Sequence, residues 1–202
     1  MAKSATNRQP GAEQILSAAL VLIADHPWRG ISMEMIAEAS GASLTTVYKY
    51  YPAKLDLVSG FIERINKRLL AAHDFKDRNE PKRDRLIDVL MRRFELLDPN
   101  KRAVRSIIIG SVFDPYSTLS LIPTFTKAMA WSLEAAGLNT SGFAGLVRIK
   151  AVSLIYLSTM RVWLKDESED LSSTLSYLDQ SIRRVESILF TFEKIRNSRG
   201  RT

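Results

Sequence analysis

Hydroxyl-bearing and aromatic side chains dominate the stretch SLTTVYKYY at residues 43–51, which directly follows a Gly–Ala pair. Threonine and tyrosine hydroxyls donate hydrogen bonds to phosphate oxygens, and a lysine such as Lys49 reaches either a phosphate or a guanine edge. The stretch has no acid–base pair, no metal-ligand spacing and no glycine-rich phosphate loop. These residue types therefore favour contact with nucleic acid over catalysis.

The remaining reactive side chains do not form a recognisable catalytic or metal-binding group. The chain has no cysteine, which excludes disulfides, thiolate metal sites and thiol nucleophiles. Its two histidines, His26 and His73, are far apart and lack a metal-ligand spacing. The acidic cluster DESED at 166–170 is compatible with a cation site, but a solvated loop is the simpler interpretation, because the helix dipole favours acids at the start of the last helix. We therefore expect no enzyme, no metal and no cofactor.

The net charge of +7 is compatible with nucleic-acid binding, but it is not concentrated around the hydroxyl-rich stretch. Residues 1–80 contain 10 Lys and Arg against 9 Asp and Glu. The excess begins in the basic segment KRDRLIDVLMRR at 82–93. That segment is compatible with an acidic ligand or a membrane surface, although a solvated helix face is the simpler interpretation.

The elements that must position the hydroxyl-rich stretch are two short helices joined by a tight turn. Helices that cross at a steep angle need a small residue at the crossing, a turn residue that accepts positive φ, and an apolar anchor on the second helix. Ala37, Gly41 and Val47 have these properties in this order, at relative positions 1, 5 and 11. The spacing predicts a helix-turn-helix with helices near 33–39 and 43–50.

Serines precede both of these helices and predict how they begin. Ser32 and Ser43 can each accept a hydrogen bond from a free backbone N–H of the helix that follows. In a helix-turn-helix, the second helix enters the major groove of DNA while neighbouring groups hold phosphates. The side chains of that helix expected to face DNA are those of Leu44, Thr45, Tyr48, Lys49 and Tyr50. Tyr51 is expected to turn inward, since large aromatic side chains usually join a core.

Apolar residues at helical spacing continue along the chain, with almost no strand alternation. A first helix is expected to end at His26–Pro27. Further helices are expected near 53–73, 86–97, 101–111, 117–136, 142–165 and 171–196. The helix at 117–136 is expected to end at Gly137. The fold class is therefore all-α. No secretory signal is visible and the apolar runs are too short to span a bilayer, so we expect a soluble, cytoplasmic protein without a membrane partner.

The last two predicted helices carry more apolar surface than one subunit needs. Helix 171–196 has a heptad seam formed by Leu171, Leu175, Leu178, Ile182, Val185, Leu189 and Phe192. The middle of helix 142–165, AVSLIYLSTM, is apolar on nearly every side, and such a helix needs partners on two sides. We expect a homodimer through these two helices, with central burial in one monomer as the alternative.

Residues 1–57 resemble the DNA-binding domain of TetR-type transcriptional repressors. The matching residues follow a nearly uninterrupted spacing: Ile15, Leu16, Ala18, Ala19, Ser32, Ile36, Ala37, Ala39, Gly41, Ala42, Ser43, Val47, Tyr48, Tyr50, Tyr51, Lys54 and Leu57. The resemblance implies an all-α protein of about nine helices that binds a palindromic operator on double-stranded DNA as a homodimer. It also implies a pocket for a small-molecule effector in the variable C-terminal part.

The resemblance also implies roles for individual side chains. By position in the motif, Thr46, Tyr48, Tyr50 and Lys54 resemble phosphate contacts, and Leu44, Thr45 and Lys49 resemble the base-facing set. Ser32 and Ser43 complete the expected DNA-binding residues. The family often has a larger polar residue where Leu44 stands, so this side chain is expected to touch a thymine methyl group instead of hydrogen-bonding a base.

A second, shorter resemblance lies in the C-terminal half. Trp163, Leu164, Asp166, Asp170, Leu171, Thr174, Leu178 and Asp179 look similar to the TetR-fold lipid-binding proteins of ubiquinone biosynthesis. This resemblance implies that the pocket accepts an apolar ligand. Side chains that lie where such a pocket would form are Phe113, Tyr116, Phe125, Met129, Trp131, Tyr156, Met160 and Trp163. Plain core packing also accounts for aromatics and methionines at helical spacing.

The sequence thus predicts two domains with different tasks. A helix-turn-helix DNA-binding domain is expected at 1–57, with a basic polar arm at 1–11, and a ligand-binding and dimerisation domain at 58–202. The predicted function is that of a homodimeric, ligand-responsive transcriptional regulator, most simply a repressor released by an apolar or aromatic effector. A TetR-fold lipid carrier without sequence-specific DNA binding is the alternative.

Overall fold

Helices form all the regular structure in the computed structural model, which describes residues 10–72, 80–186 and 189, apart from the side chains of residues 72, 116 and 117. Ten α-helices lie within these ranges, against the nine or so expected. They are α1 (Ala12–Asp25), α2 (Met33–Ser40), α3 (Leu44–Tyr50), α4 (Lys54–Ala72), α5 (Lys82–Leu97), α6 (Lys101–Val112), α7 (Pro115–Leu119), α8 (Ile122–Ala135), α9 (Gly142–Trp163) and α10 (Ser172–Arg184). The all-α prediction is confirmed.

The first of two compact units comprises Met1–Phe61 and Asn100–Leu121. In its described part, the apolar face of α1 packs against both α2 and α6. Trp28, in the 3-10 turn between α1 and α2, donates its backbone N–H to Ser106 Oγ of α6 at 2.9 Å. A Cβ at Gly110 would lie 2.6 Å from Trp28 Cδ1, so glycine permits this close approach. The unit that holds the helix-turn-helix therefore includes α6, and the predicted domain division after residue 57 stays a prediction.

The second compact unit comprises Ile62–Pro99 and Ile122–Thr202. In its described part, α9 packs on α8 and α10, and α5 packs on the same two helices. Phe94 of α5 stacks on Tyr156 of α9 with ring centroids 4.6 Å apart, and Trp163 lies 5.8 Å from Phe94. All three rings are buried. The apolar residues predicted for α9 thus form the centre of this unit's core.

α9 has a second apolar side that its own unit does not cover. Its buried face includes Val152, Ile155, Tyr156 and Trp163, whereas Phe143, Leu146, Leu154 and Leu157 are exposed, Leu154 at 70%. By length and composition alone, this helix could cross a membrane, a test that core helices of globular proteins also pass. The prediction of two apolar sides is confirmed, and the exposed side remains available for a partner.

The helix expected at 117–136 is two helices. α7 ends at Leu119 and α8 begins at Ile122, because Pro123 cannot donate a backbone hydrogen bond and is tolerated only in a first turn. The predicted end of α8 is confirmed: Gly137 has φ of 76° and is followed by a hydrogen bond from Leu138 N–H to Leu133 O at 2.9 Å.

α10 covers Ser172–Arg184 of the predicted helix 171–196; Glu186 and Leu189 beyond it are also helical, and 187, 188 and 190–196 lie outside the described residues. Leu171 precedes the helix with φ of 52°, and α10 ends at Arg184, where Val185 N–H bonds Ile182 O and tightens the last turn. Of the predicted seam, Leu178 and Ile182 are fully buried, Leu175 is exposed, and Phe192 lies outside the described residues. The predicted start agrees within one residue, and a carboxylate described next fixes the first turn of α10.

Asp166 is buried within the acidic cluster that was expected to be a solvated loop. Its carboxylate accepts hydrogen bonds from the backbone N–H and the hydroxyl of Thr174, both at 2.7 Å, and from Ser168. Burial alone would raise the pKa of Asp166, but the hydrogen bonds from Ser168 and Thr174 outweigh it and lower the pKa to about 2. The solvated-loop interpretation is therefore wrong for Asp166, which anchors the start of α10.

Candidate nucleic-acid interface

The turn between α2 and α3 has the geometry that its spacing predicts. Gly41 adopts φ of 66° and ψ of 19°, a left-handed conformation that glycine accepts without steric cost. Ala42 N–H bonds Ala37 O at 3.0 Å and closes the end of α2. Ala37 is buried at the crossing and Val47 anchors α3 in the core. The helix-turn-helix is confirmed, with helix limits within one residue of those predicted.

Both predicted serine caps are present. Ser32 Oγ accepts from Met35 N–H at 3.2 Å, and Ser43 Oγ accepts from Thr46 N–H at 3.1 Å. The Ser43 and Thr46 hydroxyls also hydrogen-bond each other at 2.8 Å. These contacts fix the first turn of each helix. Phosphate contacts by Ser32, Ser43 and Thr46 stay predictions. They would use the hydrogen-bonding positions of each hydroxyl that the capping contacts do not occupy.

The outer face of α3 is rich in large exposed side chains. Tyr48 is 66% exposed and Tyr50 is 41% exposed, with Leu44, Thr45 and Lys49 also exposed and Thr46 half-buried. Residues four apart share one helix face, which places Leu44 beside Tyr48 and Thr45 beside Lys49. The Lys49 ammonium lies 5.6 Å from the centre of the Tyr50 ring. The face therefore offers hydroxyls, one methyl-rich side chain and one cation to a partner.

Tyr51 differs from its two exposed neighbours, as expected. It is buried, and its hydroxyl donates to Ala12 O at 3.0 Å. A Cβ at Gly60 would lie 2.9 Å from Tyr51 Cε1, so α4 approaches the ring closely. The inward orientation of Tyr51 is confirmed, and the ring joins α1, the end of α3 and α4 into one scaffold for the outer face of α3.

Lys54 has a structural task that the sequence did not predict. Its ammonium donates to Trp28 O at 2.8 Å and to Ile31 O at 3.1 Å, and lies 4.5 Å from the centre of the Trp28 ring. Burial lowers the pKa of Lys54. Two of the three donors of a lysine are thus used to hold the segment before α2. Its phosphate contact stays a prediction that the third donor would have to fulfil.

The residues predicted to line a ligand pocket fall into both compact units. Phe113 belongs to the first unit and is exposed, with the Arg29 guanidinium 5.3 Å from its ring centre. The Tyr116 side chain lies outside the described structure. In the second unit, Met129, Tyr156 and Trp163 are buried, Phe125 and Met160 are half-buried, and Trp131 is exposed. Phe125 lies 6.0 Å from the Tyr156 ring. Their role as pocket walls stays a prediction.

One buried polar residue beside these rings was missed by the sequence reasoning. Arg93 was placed with the solvated face of the basic segment 82–93, but its side chain is buried and lies 5.7 Å from the Tyr156 ring centre. The sequence contained a signal, because Arg93 lies between apolar Leu90 and Leu97 in helical spacing. The solvated-face interpretation is therefore wrong for Arg93.

The N-terminal part of the chain and its fold are similar to those of known transcriptional regulators. Residues 15–60 match the model of bacterial regulatory proteins, tetR family. The whole fold is similar to a TetR transcriptional regulator from Nitrosomonas europaea ATCC 19718, with a TM-score of 0.70 and 21% identity over 86% of this chain and 96% of that one. A TetR transcriptional regulator from Rhodococcus sp. RHA1 is also similar, with a TM-score of 0.61 and 19% identity over 84% and 94%. The TetR-like fold and the N-terminal resemblance are confirmed.

The C-terminal part has a different relative. Residues 148–189 match the COQ9 family model. The chain is 23% identical over 197 residues to the mitochondrial ubiquinone biosynthesis protein COQ9 of Rattus norvegicus. This match covers 92% of the chain but 62% of the relative, so the chain spans less than two thirds of that protein's length. The second predicted resemblance is confirmed as well.

Proposed function

We propose that this chain is a homodimeric, ligand-responsive transcriptional repressor that binds a palindromic operator in the cytoplasm. The observation that carries the proposal is the outer face of α3, where Tyr48, Tyr50 and Lys49 project from a capped, anchored second helix of a helix-turn-helix. Large aromatic side chains left exposed on such a rigid element favour a binding role. The proposed role is regulatory and not enzymatic.

DNA recognition would divide between two sets of side chains on this face. Leu44, Thr45 and Lys49 would face the bases in the major groove, with Leu44 against a thymine methyl group. Tyr48 and Tyr50 would donate hydroxyl hydrogen bonds to phosphates, aided by the hydroxyl of Thr46 and by Lys54. Contacts of the second kind set position and orientation, and contacts of the first kind set sequence preference.

Dimerisation would use the exposed apolar side of α9 together with α10. Phe143, Leu146, Leu154 and Leu157 form a stripe along α9 that lies opposite the buried face of the helix. A two-fold axis lets one stripe pack on its own copy, since a self-complementary patch is all that a symmetric dimer requires. The dimer would place two α3 helices about 34–36 Å apart, the separation of successive major grooves on one side of DNA.

Ligand response would follow from this spacing. A ligand that binds better to a dimer with another separation of the α3 helices lowers operator affinity by that difference alone. α4 begins at Lys54 in the first unit and continues past residue 61 into the second. As one uninterrupted helix it is the natural element to carry such a change between the predicted pocket and the DNA-binding residues.

Selection of bound sequences from a random duplex library tests the proposal with the purified full-length chain. We expect enrichment of a palindrome whose half-site centres lie about one helical turn apart, with retention that weakens as salt rises because phosphate neutralisation releases counterions. A folded protein that enriches no sequence would contradict the proposal.

The COQ9 match supports a second candidate, a TetR-fold lipid carrier that does not bind specific DNA. The residues it covers include most of α9 and all of α10, which the two candidates share. Extraction of a co-purifying lipid from a protein that enriches no DNA sequence would favour the carrier. Lipid transfer releases no DNA counterions, so the salt dependence of DNA retention separates the two functions.

A further inference from the structure

Arg93 of α5 is buried beside neutral side chains of two other helices, α4 and α9. The side chain is 3% exposed. Its Nη1 donates to Asn66 Oδ1 of α4 at 2.6 Å, and its guanidinium lies 5.7 Å from the centre of the Tyr156 ring on α9. Its Nε has no hydrogen-bond partner, and no carboxylate of the described residues forms an ion pair with it. Within the described part of the chain, a permanent positive charge is therefore buried without a counter-ion, and its Nε donor is unused.

Two other arginines of the same unit, Arg148 and Arg83, have partners that Arg93 lacks. Arg148 is also 3% exposed, but its Nε donates to Leu189 O at 2.8 Å and its Nη1 to Asn139 O at 2.9 Å, which ties backbone segments together. Arg83 pairs with the carboxylate of Asp179. Arg93 does neither. A purely structural arginine as deeply buried as Arg93 would be expected to resemble Arg148, so the unpartnered Nε of Arg93 needs a different explanation.

The surroundings of Arg93 indicate which kind of ligand would bind to its side chain. Guanidinium groups bind carboxylates through two parallel hydrogen bonds, and such pairs are strongest away from water. Burial raises the pKa of Tyr156, so its phenol stays protonated and can donate to the same acid. The rings of Phe94 and Phe125, at 4.6 and 6.0 Å from that of Tyr156, provide an apolar flank.

We propose that the effector is an apolar molecule that carries a carboxylate, and that Arg93, with Tyr156 beside it, binds this carboxylate in the second unit. This inference rests on the proposed ligand response and specifies its chemistry. The acid would supply the counter-ion that Arg93 does not find among the described residues, and the aromatic residues would contact its apolar body. An aliphatic acid and an aryl acid share this chemistry, so probes of both kinds are needed.

Calorimetric titration of the full-length chain with four probes tests the proposal. The acids are decanoate and 4-phenylbutyrate, and the matched neutral probes are 1-decanol and 4-phenyl-1-butanol. We expect at least one acid to bind at least about tenfold more tightly than its alcohol, because only the acid pairs with the guanidinium. Equal binding of acids and alcohols, or no binding of any probe, would overturn the inference.

Two variants locate the preference. Arg93→Met should abolish it, so that each acid binds no more tightly than its alcohol. Asn66→Asp should also lower acid affinity, because it places a carboxylate of the chain itself against Arg93 Nη1. Retention of the acid preference by Arg93→Met would assign the carboxylate to another site and overturn the inference.

Thermal unfolding without ligand shows whether Arg93 is structural instead. Arg93→Met should unfold at or above the wild-type midpoint, since it removes an uncompensated buried charge, and Arg148→Met should unfold several degrees lower, since two carbonyls lose their donor. A fall in Arg93→Met as large as that in Arg148→Met would contradict the proposal. None of these measurements needs DNA. Failure of the duplex selection would therefore contradict the proposed repressor function without contradicting carboxylate binding at Arg93.

Discussion

Under the proposed function, two neighbouring side chains of α3 have different tasks: Tyr48 positions the DNA and Lys49 recognises its sequence. We expect Lys49→Ala to weaken binding to the selected duplex by about 1–3 kcal/mol if the ammonium reaches a base, with little loss on random duplex. Tyr48→Phe removes one phosphate hydrogen bond and should cost about 1 kcal/mol on both duplexes. Fluorescence anisotropy titrations with both duplexes measure these differences.

A matched control for both variants is Lys127→Ala, an exposed cation on α8 of the second unit. It should leave both affinities unchanged. Equal losses on the two duplexes for Lys49→Ala would reassign that side chain to phosphate, and an altered preferred sequence for Tyr48→Phe would assign the tyrosine to base recognition.

The carboxylate of Asp166 gives a prediction about stability. Asp166→Asn keeps the size of the side chain but loses the charge that strengthens hydrogen bonds from Thr174 and Ser168. We expect the free energy of unfolding to fall by about 1–3 kcal/mol, measured by urea denaturation near neutral pH. Glu167→Gln, the exposed neighbour, is the control and should stay within about 0.5 kcal/mol of wild type.

The pH dependence of the same variant follows from the lowered pKa of Asp166. The folded pKa of about 2 lies below the ordinary aspartate value of about 3.9, so folding favours the ionised form. Its contribution is fully present above about pH 4 and is lost as pH falls toward 2. The stability difference between wild type and Asp166→Asn should therefore shrink over that range, and a constant difference would contradict the assignment.

At the residue scale, sequence reasoning predicted orientation better than partners. It placed Val47 and Tyr51 inside and Tyr48 outside, because helical period and residue size decide such questions. It missed the carbonyl contacts of Lys54 and the enclosure of Arg93. Those depend on residues 23 to 63 positions away in the chain, which no local pattern specifies.

At the element scale, the turn between α2 and α3 gives a direct test through Gly41. A Cβ there would meet no atom within 4 Å, so Gly41→Ala is strained by its φ of 66° alone. We expect a loss of about 1–2 kcal/mol in the free energy of unfolding, together with weaker DNA binding. Gly30→Ala is the matched control, since it also has free space and no left-handed φ, and it should be neutral or stabilising by up to about 1 kcal/mol. Equal effects of both substitutions on urea midpoints would contradict the role of the turn.

The limits of helices were predicted well where local chemistry determines them. Ser43, Gly41 and Gly137 mark helix ends by capping or by positive φ, and the structure follows them. The start of α10 was predicted within one residue, but its capping by Asp166 was missed, because that carboxylate lies eight residues upstream of Thr174. The packing of α6 with α1 was missed because an amphipathic helix shows which face it buries but not against which partner.

For the whole molecule, the exposed stripe of α9 predicts dimer behaviour. Leu154→Glu puts a charge in the centre of the proposed interface, twice per dimer, and should raise the dimer dissociation constant at least about tenfold in sedimentation equilibrium. Val21→Glu is the control, because Val21 of α1 is similarly exposed and lies outside the stripe. A wild-type monomer, or equal dissociation constants for both variants, would contradict the proposed interface.

The hydroxyl-rich face of α3 affects how sharply DNA affinity would fall with displacement of α3 in the proposed ligand response. A hydroxyl hydrogen bond is lost once donor and acceptor separate beyond about 3.5 Å, whereas a charge still acts across a Debye length of about 8 Å in physiological salt. If the contacts of α3 with DNA come mainly from Tyr48, Tyr50 and Thr45, a displacement of about 1 Å would remove most of its DNA affinity. An arginine-rich surface would keep most of its affinity after the same displacement. Short-range contacts convert a small movement into nearly complete release.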